Sequence, residues 1–319
     1  MNAAVLHALG SPPRFEQFAE PVAREGEVLV HVLAAALHPS TRAVASDTHY
    51  ASPKELPVIV GLDGCGRLDD GARVFFGGPR PPAGTMAQRC AVARARCWPI
   101  PDSLDDATAA AIVNPALSSW LPLVCSAHLA PGETVLVLGA TGTAGKLAIQ
   151  IAKLLGAGRV VAAGRNQETL RTLRELGADA TISLALPDEQ LIEAFAKAGG
   201  EQGYNVIVDY LWGRPTELLL AALTRAEFLV EASNVRLLPI GESAGPAISL
   251  RADVFRSAGL AVPSGGFPAP EIFLDIYNQL MASAAAGKLR IDTERVPLAD
   301  VEKAWLRIDL RGRRLVLIP

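Results

Sequence analysis

The sequence predicts an α/β chain in which a doubly wound parallel sheet follows a β-rich segment. Three observations carry that expectation. Beyond about residue 130, short apolar strands alternate with helical stretches, the pattern of a parallel sheet covered on both faces. A glycine-rich turn, "GATGTAGK", joins the first of those strands to the first of those helices. Ahead of it lie short strands broken by turn-rich segments such as "GGPRPPAG". At 319 residues the chain exceeds what one hydrophobic core usually serves, so two domains are expected.

In the first third, "EVLVHVLAAA" alternates and then becomes wholly apolar, as a strand does on entering a core. "RVFFGG" and "AQRCAVA" read as further strands. The alternating region then runs in order through "TVLVLG", "TAGKLAIQIAKLLG", "RVVAAG", "QETLRTLRELG", "ATISL", "PDEQLIEAFAKAGG", "NVIVDYL", "PTELLLAALT" and "EFLVEA". "GLAVPS" is expected to be its last strand. A helix over "PEIFLDIYNQLMASAAAGKL" and a terminal strand "RRLVLIP" complete the reading.

Composition narrows the function classes. A net charge of −3 offers no basic excess for a nucleic-acid partner. No continuous apolar run reaches the roughly 20 residues of a membrane helix, and the start, "MNAAVLHALGSPPRF", lacks a secretion signal's basic flank and apolar stretch. A cytoplasmic chain with no membrane partner is therefore expected. Cys65, Cys90, Cys97 and Cys125 include no C-x-x-C pair, which reads as buried thiols with no metal among them.

The glycine knot nearly matches two phosphate sites. A phosphate loop, G-x-x-x-x-G-K-[ST], would place its first glycine at Ala140 and its hydroxyl at Leu147. Both positions fail. The dinucleotide motif fits as Ala140-Thr141-Gly142-Thr143-Ala144-Gly145, with alanine in place of the first glycine. Gly142 would let the backbone approach a pyrophosphate, and Gly145 would let the helix sit close to the strand. The helix N-terminus would aim free N–H groups at the phosphates. Positions 144, 147, 148, 151, 152 and 155 form the packing face, with Lys146, Gln150 and Lys153 off it.

The next strand ends in Gly164-Arg165-Asn166, without the acid that grips a ribose 2′-hydroxyl in NAD sites. A guanidinium there suits the extra 2′-phosphate of NADP. NADPH is the expected cofactor.

With these features in place, the sequence resembles the medium-chain dehydrogenase/reductase superfamily, in its zinc-free NADPH:quinone oxidoreductase-like branch. The resemblance runs along essentially the whole chain. It rests on "EVLVHVLAAALHPSTRA", "PDSLDDATAAAIVNPALSSWLPL", "APGETVLVLGATGTAGKLAIQIAKLLGA", "LRELGADATI", "VIVDYLWG" and "VPLADVEKAW…GRRLVLIP". It implies a GroES-like catalytic domain, residues 1–114 with 265–319, into which a Rossmann NADP-binding domain, 115–264, is inserted. The cofactor would lie where the two domains meet, and members commonly form homodimers through the Rossmann sheet edge.

Departures from the family pattern matter as well. Zinc alcohol dehydrogenases carry an early cysteine and a Gly-His-Glu motif, where this chain reads "ALHPSTRA" and "VGLDGCG". Leu62-Asp63 replace His-Glu, which removes the metal that would polarise an alcohol oxygen. Quinone reductase-like members usually place asparagine before the proline that here follows His38, and often an aspartate where this chain has Thr41. The resemblance makes His38 and Tyr50 the candidate proton or hydrogen-bond donors, and Gly241 in "PIGESAG" a backbone contact to the cofactor. A quinone or an α,β-unsaturated carbonyl accepts hydride without a metal, because charge spreads onto an oxygen that needs only a proton or hydrogen bond. The expected function is an NADPH-dependent reductase of such small molecules. An enoyl-thioester reductase and a low-turnover NADPH-binding sensor or partner-binding module are the alternatives.

Overall fold

A computed structural model describes residues 1–224, 234–263 and 266–319. The chain opens with β1 (Asn2–Leu6), β2 (Arg14–Gln17) and β3 (Glu27–Ala36), followed by the short helix α1 (Pro39–Ala45). Five strands come next: β4 (Val58–Ile59), β5 (Asp63–Leu68), β6 (Arg73–Gly77), β7 (Arg89–Ala93) and β8 (Cys97–Pro99). Helix α2 (Asp106–Leu121) leads to β9 (Thr134–Leu138), α3 (Thr143–Leu154) and β10 (Arg159–Gly164). Then follow α4 (Gln167–Thr172), β11 (Ala180–Ser183), α5 (Asp188–Ala198), β12 (Val206–Asp209) and α6 (Arg214–Leu223). The last elements are β13 (Arg236–Pro239), α7 (Asp253–Ser257), α8 (Pro270–Ala285), β14 (Thr293–Pro297), α9 (Val301–Leu306) and β15 (Arg314–Ile318).

These elements divide into two compact units. One comprises Met1–Asn114 with Met281–Pro319, and the other comprises Pro115–Leu280. In the first, β14, β15, β3, β5, β6 and β8 form a sheet in that order, with β7 also pairing β3, and β2-β1-β4 form a small second sheet. Both are antiparallel apart from the β14–β15 pair. The strict alternation of β3 buries Val30 and Val32 against Leu6, Phe76, Met86 and Leu315. Its apolar end, Ala34 to Ala36, is fully buried.

The second unit holds the parallel sheet. Its order is β11-β10-β9-β12-β13, every pair parallel. Because successive strands turn one way from β9 to β10 and the other way to β12, the order reverses between β9 and β12. A doubly wound sheet opens its ligand crevice at such a reversal, beyond the carboxyl ends of the strands. All five residues of β9 are buried, as a central strand with helices on both faces requires. The fold is therefore a Rossmann-type parallel sheet in the middle of the chain, flanked in sequence by a β-rich unit.

The strand expected at "EFLVEA" lies outside the described residues. Several other local expectations need correction: among its described residues "GLAVPS" contributes a single bridge, Ala261 to Arg236, instead of a strand. Among the described residues the edge position falls to β13, whose short "RLLP" carries too little alternation to announce a strand. Gln150 is buried, donating from Nε2 to the Lys146 carbonyl at 3.1 Å, so α3 is covered beyond its predicted face. Cys97 and Cys125 are only half-buried, whereas Cys65 and Cys90 are buried. Helix α2 continues through a π-helical turn to Ser126, and an 18-residue window of these 21 residues reaches a mean hydropathy of 1.3. By length and composition that stretch could cross a membrane, although polar residues interrupt it, so it is not a continuous apolar run. It interleaves Asn114, Ser118 and Ser119 with apolar residues, and 56% of that window is buried inside the protein.

Candidate functional site

The turn after β9 is built almost entirely by backbone. Gly139 has φ +83°, and the N–H groups of Gly139 and Ala140 both donate to the Ala163 carbonyl on β10, at 3.0 and 2.9 Å. The left-handed residue is thus Gly139, one place before Ala140, the motif's substituted first glycine. A Cβ on Gly139 would press Tyr210 Cβ and Leu211 Cδ2 at 3.2 Å. Ala140 is fully buried, and without a positive φ its backbone tolerates a methyl group. A glycine directly after an apolar strand was the available signal for this position.

Gly142 is the N-cap of α3, extended at φ −81°, ψ 166°, with no side-chain cap. It is exposed, and a Cβ there would meet only the Gly139 carbonyl oxygen at 3.4 Å. The N–H groups of the first helical turn, Thr143, Ala144 and Gly145, have no partner within the helix and carry a partial positive charge. Gly145 is different. A Cβ there would run into the Gly139 carbonyl oxygen and come within 2.6 Å of Ala140 Cα. Gly145 keeps the helix close to the strand, and Gly142 keeps the backbone open to a ligand. Both features fit a dinucleotide pyrophosphate.

The neighbouring loop follows β10. Gly164 is buried, and a Cβ on it would collide with Thr141 Cγ2 and crowd Oγ1 at 2.9 Å, so the two loops touch. Arg165 is exposed and makes no hydrogen bond or ion pair among the described residues. Asn166 has a structural task as well: its Oδ1 caps α4 by accepting from the Thr169 N–H at 2.9 Å.

Across the strand reversal, β12 ends at Asp209. This carboxylate is fully buried and accepts three hydrogen bonds, from the Leu211 and Trp212 N–H groups at 2.8 and 3.0 Å and from Thr216 Oγ1 at 2.6 Å. Burial nevertheless pushes its pKa up. The Gly241 N–H donates to the Asp209 carbonyl at 3.1 Å, and a Cβ on Gly241 would crowd the Tyr210 carbonyl oxygen at 2.7 Å. Gly139, Tyr210 and Gly241 therefore converge at the crevice. The Tyr210 hydroxyl pairs with Ser118 Oγ at 3.0 Å, and Ser118 donates to the Pro115 carbonyl at 2.7 Å. Burial raises the Tyr210 phenol to about 12. Tyr210 and Ser118 stand 92 residues apart, with no motif linking them.

The β-rich unit holds a second polar cluster. His38 is the N-cap of α1 with Pro39 at its first position, and it is buried. Its Nε2 lies 2.8 Å from Asp63 Oδ1 on β5. Thr85 Oγ1 donates to the Asp63 carbonyl at 2.8 Å, and Arg314 Nη1 donates to the Leu37 carbonyl at 3.0 Å. Burial lowers Arg314 to about 10, opposed by the Asp63 charge. Four buried atoms in this cluster lack a hydrogen-bond partner: His38 Nδ1, Thr41 Oγ1, Arg42 Nε and Arg314 Nε. Tyr50 is not part of it. Its side chain is 98% exposed and its ring lies against His49, centroids 4.2 Å apart.

A catalytic zinc needs three protein ligands around a tetrahedral ion. Among the described residues no group of three or more His, Cys, Asp or Glu is placed to hold a metal. His38 is engaged by Asp63, while the Cys65 thiol donates to the Asp106 carbonyl at 3.1 Å and is held well above its usual pKa by burial. These residues do not fit a zinc site.

The family described as "Zinc-binding dehydrogenase" matches residues 143–231. A "Probable NADPH-dependent quinone reductase tdiC" of Emericella nidulans is 29% identical over 230 residues, 68% of this chain and 63% of that protein. A quinone oxidoreductase of Lama guanicoe is 31% identical over 222 residues, 66% of each chain. The chain thus spans just under two thirds of the length of these relatives. Among solved structures, the quinone oxidoreductase of Thermus thermophilus, also determined in complex with NADPH, aligns over all of both chains. Its identity is 27% and its TM-score 0.77.

Proposed function

The chain belongs to the medium-chain dehydrogenase/reductase superfamily, in its quinone oxidoreductase-like branch, and from that membership we propose an NADPH-dependent, zinc-independent reductase of quinones or α,β-unsaturated carbonyls. The observation that carries the reading is the open backbone turn at Gly142, beside a loop whose one charged side chain is the unpaired Arg165. Bound NADPH would supply a hydride from its dihydronicotinamide ring. The N–H groups of Thr143, Ala144 and Gly145 hold the pyrophosphate, with Thr141 beside them. Arg165, with Gly164 and Asn166, receives the 2′-phosphate through charge-assisted hydrogen bonds. Gly241 gives the backbone a close approach on the far side of the crevice. His38 and Tyr50 are the groups assigned to hold or donate a proton as charge develops on the acceptor oxygen. The similarity to NADPH-dependent quinone reductases supports the cofactor and the quinone class.

Residues 1–114 with 265–319 are assigned to the catalytic domain and 115–264 to NADPH binding. A cytoplasmic homodimer, joined along the sheet edge, completes the proposal, and size-exclusion chromatography with light scattering tests it. The decisive experiment is steady-state oxidation of NADPH with 1,4-naphthoquinone, an α,β-unsaturated ketone or crotonyl-CoA. Turnover with either of the first two is expected. Preference for crotonyl-CoA would replace the reading with a thioester reductase, and tight NADPH binding without oxidation would replace it with a binding protein. Tyr50→Phe is expected to lower kcat by about a hundredfold, the lower end of the range for a lost acid–base group. An unchanged kcat removes Tyr50 from the chemistry.

A further inference from the structure

We propose that Asp209 is a positioning residue for NADPH, its buried carboxylate setting the loop after β12 and, through that loop, the far wall of the cofactor crevice. The inference rests on the functional reading above and concerns the parallel-sheet unit alone. Three observations carry it. The loop is strained, since Trp212 holds φ +54°, a conformation that a bulky side chain rarely adopts. Gly213 follows at φ +64°, ψ −149°, a region open essentially to glycine only. Such strain persists only where the surroundings over-determine it. Asp209 supplies that constraint. Its Oδ1 accepts from both the Leu211 and Trp212 N–H groups, and its Oδ2 is held by the Thr216 hydroxyl at 2.6 Å. Asp209 and Thr216 are both fully buried.

The second observation is that the loop after β13 is fastened to this one. Three successive carbonyls, of Asp209, Tyr210 and Leu211, accept from it. The Ile240 and Gly241 N–H groups donate to Asp209 at 2.8 and 3.1 Å, and the Ser243 hydroxyl donates to Tyr210 at 2.9 Å. The Ala244 N–H donates to Leu211 at 2.7 Å. A Cβ on Gly213 would come within 2.8 Å of the Ala244 carbonyl oxygen, so the two backbones touch there. Third, the loop lies against the β9–α3 turn, where a Cβ on Gly139 would press Tyr210 Cβ and Leu211 Cδ2.

Removing the carboxylate takes the acceptor from two N–H groups and leaves nothing to offset the strain at Trp212. The loop then relaxes, and the carbonyls of Tyr210 and Leu211 move with it. That shift reaches Gly241 through the second loop and Gly139 through direct packing. Asparagine is different. Its Oδ1 accepts from the same two N–H groups, and its Nδ2 can donate to Thr216 Oγ once the hydroxyl has turned. The loop needs the acceptor and its placement, not the charge.

The test compares Asp209→Ala with Asp209→Asn in the full chain, by fluorescence titration of NADPH and by amide hydrogen exchange, well below the Tm of each variant. Asp209→Ala is expected to raise the NADPH Kd about tenfold or more, the worth of one hydrogen bond to a charged group. Asp209→Asn should recover most of that loss. Exchange at Trp212 and Ala244 should quicken in Asp209→Ala alone, although Ala244 donates to Leu211 and not to the carboxylate. Should Asp209→Ala fail to fold, Thr216→Val tests the same anchor. It frees Oδ2 and is expected to raise the Kd about fivefold, the worth of one neutral hydrogen bond, with faster exchange at Trp212. Equal losses in Asp209→Ala and Asp209→Asn overturn the role, and so does an unchanged Kd in Thr216→Val. A lowered Tm with an unchanged Kd in Asp209→Ala also overturns it, because that is what a merely structural carboxylate gives. If wild-type protein binds no NADPH, the functional reading and this role fall together. Normal wild-type binding with indifferent variants removes only the role of Asp209.

Discussion

The turn between β9 and α3 and the cluster beneath α1 are both polar, but they are made of opposite materials. The turn uses peptide groups and the absence of side chains: Gly139 and Gly145 act through where a Cβ would crowd or collide, and Gly142 by leaving the helix N-cap bare. The cluster uses side chains drawn from positions 38, 41, 42, 63, 85 and 314, on two strands, one short helix with its N-cap, and a loop. A backbone site presents its donors whenever the strand and helix form, at little side-chain entropy cost. A side-chain site must have every buried atom matched by a partner, and this one leaves four atoms unmatched. Peptide groups suit a ligand part that only has to be held. Side chains are needed where a proton has to change hands, because a peptide group does not titrate near neutral pH.

That contrast can be broken at either region. The largest effect is expected from Gly145→Val, which drives a branched side chain into the Gly139 carbonyl and the Ala140 backbone. The loss of NADPH affinity should reach or pass the roughly 3 kcal/mol upper end of ordinary overpacking, read by fluorescence titration alongside a lowered Tm. If Gly145→Val binds NADPH normally, the turn does not depend on close backbone approach. Arg165→Ala comes next. It should weaken NADPH by about 1.5–3 kcal/mol, the worth of a charged hydrogen bond, and leave NADH nearly unchanged. Equal losses for both cofactors would sink the assignment of Arg165 to the 2′-phosphate. The smallest effect is expected in the cluster, from Thr85→Val. Deleting its hydroxyl removes one buried hydrogen bond to Asp63, worth about 1 kcal/mol of stability, with NADPH affinity unaltered. Calorimetric unfolding measures the first quantity, and a change in NADPH affinity would show that the cluster is not separable from the turn.

The two regions also differ in how far the sequence discloses them. The turn was legible because its determinants lie within about a dozen residues, between an apolar strand and an amphipathic helix. Even so, the motif alignment assigned the first glycine's place to Ala140, while the positive φ belongs to Gly139. A periodic pattern says where a strand ends only to within a residue or two. Arg165 could be read for the same local reason, since it follows its strand directly. His38 was singled out only by resemblance, and its partner Asp63 was visible merely as a replacement for a metal-site glutamate. Thr85 and Arg314 carried no signal at all, because a lone threonine in a loop or a lone arginine on a short strand is ordinary in sequence. Tyr210 and Ser118 were missed likewise, joined by a hydrogen bond across 92 residues.

By itself, the sequence determined the alternation of strand and helix, the dinucleotide turn, the missing acid after β10 and hence the preference expected for NADPH. Each of these depends on neighbours along the chain: side-chain period, backbone freedom at glycine, and the sign of one charge beside a strand end. The tertiary structure alone decided the strand order that reverses between β9 and β12, the pairing of Tyr210 with Ser118, and the enclosure of His38 with Asp63. Those depend on which distant segments share a core. Burial strengthens a hydrogen bond and shifts a pKa only after the chain has closed around it.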